Sequence, residues 1–367
     1  MASATAPLNQ PSSSAELKAH QMRLDEADRA RVVAYRNALL AGRRATKEAK
    51  YDAAAKAFTA ALAARPDDPR AYAERGYAAF LAKDYVAAQG DLAQAAERAN
   101  DRVLRAQTFF NLGLVREALA VDATSAFALS NYLHPSAAAQ KKLAGKETCP
   151  VEISRTPVLE KNFGDWLAFF SAHPFDYTGT KPTSSEAARK VVCEPTGGCP
   201  GSGPWVVTAG STKAYLVRKS SAGLAATSVA TATGTGMGFC PLSIGGEILQ
   251  RTSGSVVVRA NGGWGTERMM CVSSGGTDYH DCGEEDQGAG DPETQNWVRG
   301  CDWHPYTQYS VVDSATGTLT LSVTVYDDMT TGLKDSERIR VSANEQGIAL
   351  SGPGCSMTLP LPSAGVP

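Results

Sequence analysis

The chain has 367 residues, 43% hydrophobic and 20% charged, with 34 Gly, 19 Pro and 8 Cys. That composition supports buried cores and excludes disordered, collagen-like and short disulfide-scaffold classes. No run approaches the ~18 to 20 consecutive apolar residues of a membrane-spanning helix, and a formal net charge of −2 gives no general attraction to nucleic acid.

That total conceals a division. Residues 16 to 146 carry 21 basic against 15 acidic side chains, and the remainder carries 15 against 23. All eight cysteines and all five tryptophans lie after residue 148, as do 29 of the 34 glycines. The expected fold is α + β in two domains: a flexible leader over 1–15, a helical repeat domain over 16–146, and a cysteine-rich β-domain over 147–367, mostly an antiparallel sandwich or barrel.

Residues 1 to 15 are uncharged and built from small residues, Pro and Asn, which bury too little apolar surface to offset ordering. Ser13 and Glu16 have capping-box spacing, so a helix is expected from there toward Lys47. A 34-residue period follows, pairing Gly42 with Gly76, Tyr51 with Tyr85, Ala54 with Ala88 and Ala61 with Ala95. Such a period marks stacked helix pairs. The small residues let two helices approach, with Phe58 and its counterpart Leu92 between them. Pro66, Asp67, Asp68 and Pro69 stop one helix and cap the next.

These positions resemble the tetratricopeptide repeat family, with units at about 35–68 and 69–102 and a less regular third one. In the third unit Phe109, Leu112 and Gly113 match the first helix, Asp122 replaces an expected aromatic, a second helix runs over 123–133, and 137–143 closes the array. The resemblance implies a concave groove lined by Arg36, Leu39, Arg43 and Lys47, then Arg70, Ala73, Tyr77 and Phe80, then Gln107, Phe110, Leu114 and Glu117. A basic first unit and an aromatic second unit imply a protein or peptide ligand of acidic, partly apolar character. The family's carboxylate-gripping version uses asparagines that this sequence lacks. The alternative buries Tyr77, Phe80 and Phe110 in packing and leaves Arg43, Arg44 and Lys47 as a solvated face.

After Cys149 one short amphipathic helix is expected over 163–172, and from Trp205 short β-branched and aromatic runs alternate with turn clusters. Strands are expected at 205–208, 214–218, 247–251, 255–259, 268–272, 309–313, 318–326, 338–342 and 347–350, with hairpin turns at 314–317 and 344–347. Zinc would need thiolates in close pairs, whereas the closest interval here is six residues, Cys193 to Cys199. Disulfides are therefore expected among Cys149, Cys193, Cys199, Cys240, Cys271, Cys282, Cys301 and Cys355. Cys193 with Cys199 and Cys271 with Cys282 are local candidates, but spacing does not choose the connectivity. Disulfides imply export to a periplasmic, outer-membrane-associated or extracellular space. No signal peptide precedes the leader, which resembles the tether of a bacterial envelope protein and is consistent with a lost N-terminal anchor.

Catalytic signals are weak. Ser202 sits between glycines without a strand-turn-helix elbow, and His280 and His304, with Asp281 or Asp302 beside them, have no nucleophile brought to them. The acidic stretch with Asp278, Asp281, Glu284, Glu285, Asp286 and Asp291 offers oxygen ligands for calcium, but its spacing matches no EF-hand loop. Trp264, Trp297 and Trp303 are candidates for stacking on sugar rings or for filling a core. The opposite charges of the halves also predict docking of Glu284, Glu285 and Asp286 on Arg36, Arg43 and Lys47. The reading that results is a non-enzymatic exported binder or assembly scaffold with no cofactor or metal. Its alternative is a cell-surface or glycan-binding module working through the β-domain, and a hydrolase has weaker support.

Overall fold

The structure, a computed structural model, describes residues 14–99, 101–146, 148–173, 180–194, 198–209, 212–231, 242–272, 279–281, 296–326, 338–352 and 354–361. The chain groups into two compact units, Met1–Pro66 with Arg268–Gly300, and Asp67–Glu267 with Cys301–Pro367.

In the first unit α1 (Ser14–Lys47) and α2 (Tyr51–Ala64) form a helical hairpin. Val32, Tyr35 and Leu39 are buried on α1, and Ala54, Phe58, Ala61 and Leu62 on α2. A Cβ at Gly42 would stand 2.4 Å from the Phe58 ring, so the glycine is what permits this approach. Arg31 Nε donates to the Ala64 carbonyl at 3.1 Å, and the Arg65 guanidinium lies 4.8 Å over the Tyr35 ring.

The second unit opens with α3 (Pro69–Leu81), α4 (Tyr85–Arg98), α5 (Arg102–Ala118), α6 (Thr124–Leu133) and α7 (Ala137–Leu143). Their starts follow from sequence: Asp68, Asp84, Asp101 and Ser136 each accept backbone N–H groups as N-caps, and Pro69 occupies the first turn of α3. Two more hairpins repeat the packing of the first. A Cβ at Gly76 would meet Leu92 at 2.9 Å, and one at Gly113 would meet the Phe127 ring at 2.5 Å.

The turns recur as well. Ala49, Lys83 and Ala120, each seven residues beyond its glycine, have φ of +56°, +65° and +56°. In each turn the following N–H reaches back five residues, from Lys50 to Ala45, Asp84 to Ala79 and Val121 to Arg116, which is the Schellman closure of a helix end. The third hairpin differs where Asp122 was singled out: its carboxylate accepts from Thr124 N at 2.9 Å, inside a longer turn. Phe127 therefore sits nearer the start of its helix than Phe58 or Leu92. Helix α6 is buried on nearly all sides, with Ser125 through Ser130 and Leu133 all buried.

The strand elements are β1 (Glu152–Ser154), β2 (Lys161–Asn162), β3 (Trp205–Ala209), β4 (Lys213–Ser220), β5 (Gly223–Thr231), β6 (Leu242–Arg251), β7 (Ser255–Val272), β8 (Tyr279–Asp281), β9 (Asn296–Asp313), β10 (Leu319–Tyr326), β11 (Arg340–Asn344), β12 (Gly347–Gly352) and β13 (Cys355–Pro360), with α8 (Trp166–Ala172) and α9 (Ser185–Cys193) between β2 and β3. In the first unit the end of β7 pairs with β8. In the second, β1-β10-β9-β7-β6 run in that order, beside a sheet of β2-β5-β4-β3 and one of β11-β12-β13. The described pairings are antiparallel.

The sheet containing β9 and β10 is covered on both faces. Tyr309, Val311, Leu321 and Val323 pack with Ile348, Leu350 and Leu359 of the three-stranded sheet. Val256, Val258, Val312 and Leu319 pack with Val206, Leu216 and Val229 of the four-stranded one. Leu319 and Leu321 would share a face by simple alternation, but the register shift between them sends them to opposite cores. The outer face of the four-stranded sheet, with Trp205, Val207, Tyr215 and Val217, is covered by Trp166 and Phe169 of α8 and by Ala188 and Val192 of α9.

The fold is thus mixed α and β with antiparallel sheets, as expected. The second helix after Cys149, α9, departs from the expectation of one helix there, as do strands β1, β2, β5, β8 and β13.

Among the described residues two disulfides are formed. Cys193 bonds Cys199, one of the two local candidates, and Cys149 bonds Cys355 across 206 residues, tying the segment after α7 to β13. Cys240 and Cys282 lie outside the described residues, and Cys271 and Cys301 are described only as strand backbone. Helices and sheet also meet directly: Tyr326 of β10 packs its ring 6.0 Å from Phe109, with the Arg105 guanidinium 4.8 Å above it. Arg116 pairs with Glu152 of β1. Burial holds the Tyr326 phenol well above its ordinary pKa, Glu152 and Glu97 adding to the rise and Arg105 and Arg116 opposing it.

Candidate functional site

Arg70, Ala73, Tyr77 and Phe80 recur at helical spacing and share one face of α3. At its outer end the Tyr77 side chain is 38% exposed, the one large aromatic among the exposed apolar side chains of the described residues. Its ring stacks on Phe80 at 6.5 Å, and Phe80 lies 6.0 Å from Tyr85. Phe80 and Tyr85 continue inward onto the core of Leu92, Phe109 and Leu112. The result is a rigid aromatic strip, buried at one end and wet at the other. Arg70 is half-buried beside it.

The corresponding face of α5 is already engaged. Phe110 packs 5.5 Å from Phe127, and Glu117 is exposed but pairs with Lys142 of α7. In the first unit Leu39 is 6% exposed, buried with Val32 and Tyr35 of the same helix. Arg36 and Arg43 are half-buried on α1, and Lys47 is exposed in its last turn with Arg44. Of the residues expected to bind a partner, Tyr77 and Phe80 are brought together with a solvent-facing edge.

A second surface was not anticipated. Ser184 caps α9 by accepting from Ala187 N, and Ala188 and Val192 turn into the core, which leaves Ala187, Lys190 and Glu194 outward. The outward face and the Cys193–Cys199 bridge line a cleft of about 780 Å³ with Arg189 at its edge. The readable signal is Ser184 at an N-cap position with Glu186 in the first turn, ahead of an amphipathic stretch.

His173, at the C-terminal end of α8, has its Nδ1 2.8 Å from the Phe169 carbonyl and its ring 4.4 Å from Phe169 and 4.6 Å from Tyr215. Burial lowers its pKa, the carbonyl contact opposes that, and Lys213 and Lys161 reinforce it. Burial thus favours its uncharged form, and the ring packs among aromatics. Trp166 and Trp205 are buried, while the side chains of Trp264, Trp297 and Trp303 lie outside the described residues. The same holds for the side chains of His280, Asp281, Asp302 and His304 and for Asp278, Glu284, Glu285, Asp286 and Asp291, so the calcium and charge-docking expectations fall there too. Ser202 is exposed in a turn. Among the described residues no group of three or more His, Cys, Asp or Glu is placed to hold a metal ion, and no helix is long and apolar enough to cross a membrane.

No family model matches the chain, and no curated protein matches it.

Proposed function

We propose that this is an exported, non-enzymatic binding protein whose helical hairpins are tetratricopeptide-like units presenting a face to a protein or peptide partner. The observation that carries this reading is the α3 aromatic strip, with Tyr77 at its solvent edge backed by Phe80 and Tyr85. An aromatic ring already held by its neighbours loses little entropy on binding, so it contributes affinity out of proportion to its area. The repeat reading is supported by the threefold recurrence of a glycine against a large side chain and a left-handed residue seven positions later. Export is supported by the two disulfides, which persist in oxidising compartments. The basic residues Arg36, Arg43 and Lys47 favour an acidic ligand.

The test is a pull-down from bacterial envelope extract with the intact protein and with Arg43→Glu plus Tyr77→Ala. The expected outcome is loss of the retained partner in the double variant. Full retention would place recognition in the β-domain.

A further inference from the structure

We propose that the segment 155–161 is a membrane-docking ridge that seats Leu159 in an anionic lipid surface, with Arg155, Lys161 and Lys219 against the headgroups; it is separate from the α3 strip.

The backbone of the ridge is pinned to both neighbouring sheets. Val158 and Leu319 exchange both backbone hydrogen bonds, at 3.1 and 2.9 Å, and Phe163 N donates to the Leu224 carbonyl at 2.8 Å. Between these anchors the Arg218 guanidinium holds Glu160, with Nη2 donating to Oε2 at 2.9 Å. Leu159 stands out of this fixed segment 70% exposed, and Pro157 and Val158 before it are exposed as well. A single exposed leucine is ordinary, whereas consecutive apolar side chains held outward on a pinned backbone mark a contact surface.

Charge decides what that surface meets. The two described carboxylates of this stretch are tied up, Glu152 by Arg116 and Glu160 by Arg218. Arg155, Lys161 and Lys219 are exposed and form no ion pair among the described residues. Lys161 lies opposite Ala226 and Lys219 opposite Leu224, two members of one buried cluster, so both lysines share that face of the sheet. Strand alternation puts Leu159 on the same face, two residues before Lys161, and Phe163, two residues after it, packs on that cluster. An apolar point beside unpaired cations is how a protein settles on anionic lipid, inserting a few apolar groups while Lys and Arg meet the headgroups. A second copy of this chain meeting the ridge about a twofold axis would set the cations against themselves.

The experiment is co-sedimentation of the full, oxidised chain with vesicles of phosphatidylcholine, alone or mixed with phosphatidylglycerol. The chain should bind the mixed vesicles and not the neutral ones, and binding should fall as salt rises from about 0.1 to about 0.5 M. Lys161→Gln should weaken binding about fivefold, the effect of one surface cation. Leu159→Ser should weaken it at every salt concentration, and Lys56→Gln on α2 should change nothing. The emission that Leu159→Trp adds should shift to the blue on mixed vesicles. All three positions are exposed, and circular dichroism checks that each variant keeps the fold. The proposal is overturned if neutral vesicles bind as well as mixed ones, if neither binds, if Leu159→Ser or Lys161→Gln binds like the parent, or if Lys56→Gln weakens binding as much as Lys161→Gln. A blue shift with soluble polyglutamate and none with vesicles would assign the ridge to an acidic protein and overturn the lipid assignment.

Discussion

His173 and the three left-handed turn residues carry the clearest local energetics. Because burial lowers the His173 pKa below 6.5, the folded state binds fewer protons there than the unfolded chain. Stability from the neutral ring is therefore fully present above pH 6.5 and declines as pH falls below it. His173→Asn keeps a donor for the Phe169 carbonyl and removes the titration, so its stability should fall less than the parent's between neutrality and about pH 5 in chemical denaturation. Ala49, Lys83 and Ala120 hold positive φ without being glycine. Replacing each with Gly relieves the Cβ clash and should raise stability by about 0.5 to 1 kcal/mol, read as a shifted urea midpoint at constant slope. Leu39 and Tyr77 were both placed on a groove wall by the family resemblance, and one is 6% and the other 38% exposed, because a resemblance assigns a helical face and neighbouring elements decide what covers it.

Elements with strong local signals were legible. Asp68 with Pro69 starts α3, His134 with Pro135 ends α6, and α7 spans Ala137–Leu143 as expected. Asn344 Oδ1 accepts from Gln346 N and Gly347 N, closing the hairpin anticipated between β11 and β12. Strand β5 (GLAATSVAT) was missed because its alanines and small residues carry little strand preference. It is strand because it is sandwiched: Leu224 and Ala226 face the helices while Val229 and Ala230 face the neighbouring sheet. The same scale ranks the disulfides. Chain-entropy reasoning assigns about 5 kcal/mol to a bridge spanning 206 residues and about 2 kcal/mol to one spanning six. Cys149→Ala with Cys355→Ala should accordingly lower the denaturation midpoint more than Cys193→Ala with Cys199→Ala; the reverse order would refute the ranking.

At the scale of the whole molecule, composition was informative about class and silent about how helices and sheets join. The expected charge docking falls on residues outside the described ones, and the described contact between helices and sheet uses Tyr326 against Phe109, the Arg105 guanidinium over its ring, and the Arg116–Glu152 pair. None of these residues stands out in sequence, since an aromatic at a strand end and an arginine on a helix become partners only through the tertiary fold. The same contact makes α5 and β10 parts of one body, which leaves the α3 strip as the helical face with an unburied aromatic. That strip holds the central claim, that the protein works by gripping a partner there. The most direct measurement places a photo-crosslinking amino acid at Tyr77 and, separately, at Val86 of α4, whose side chain is 76% exposed. The account predicts a discrete crosslinked partner from position 77 and none from 86; crosslinks from 86 alone, or equal labelling from both, would contradict it.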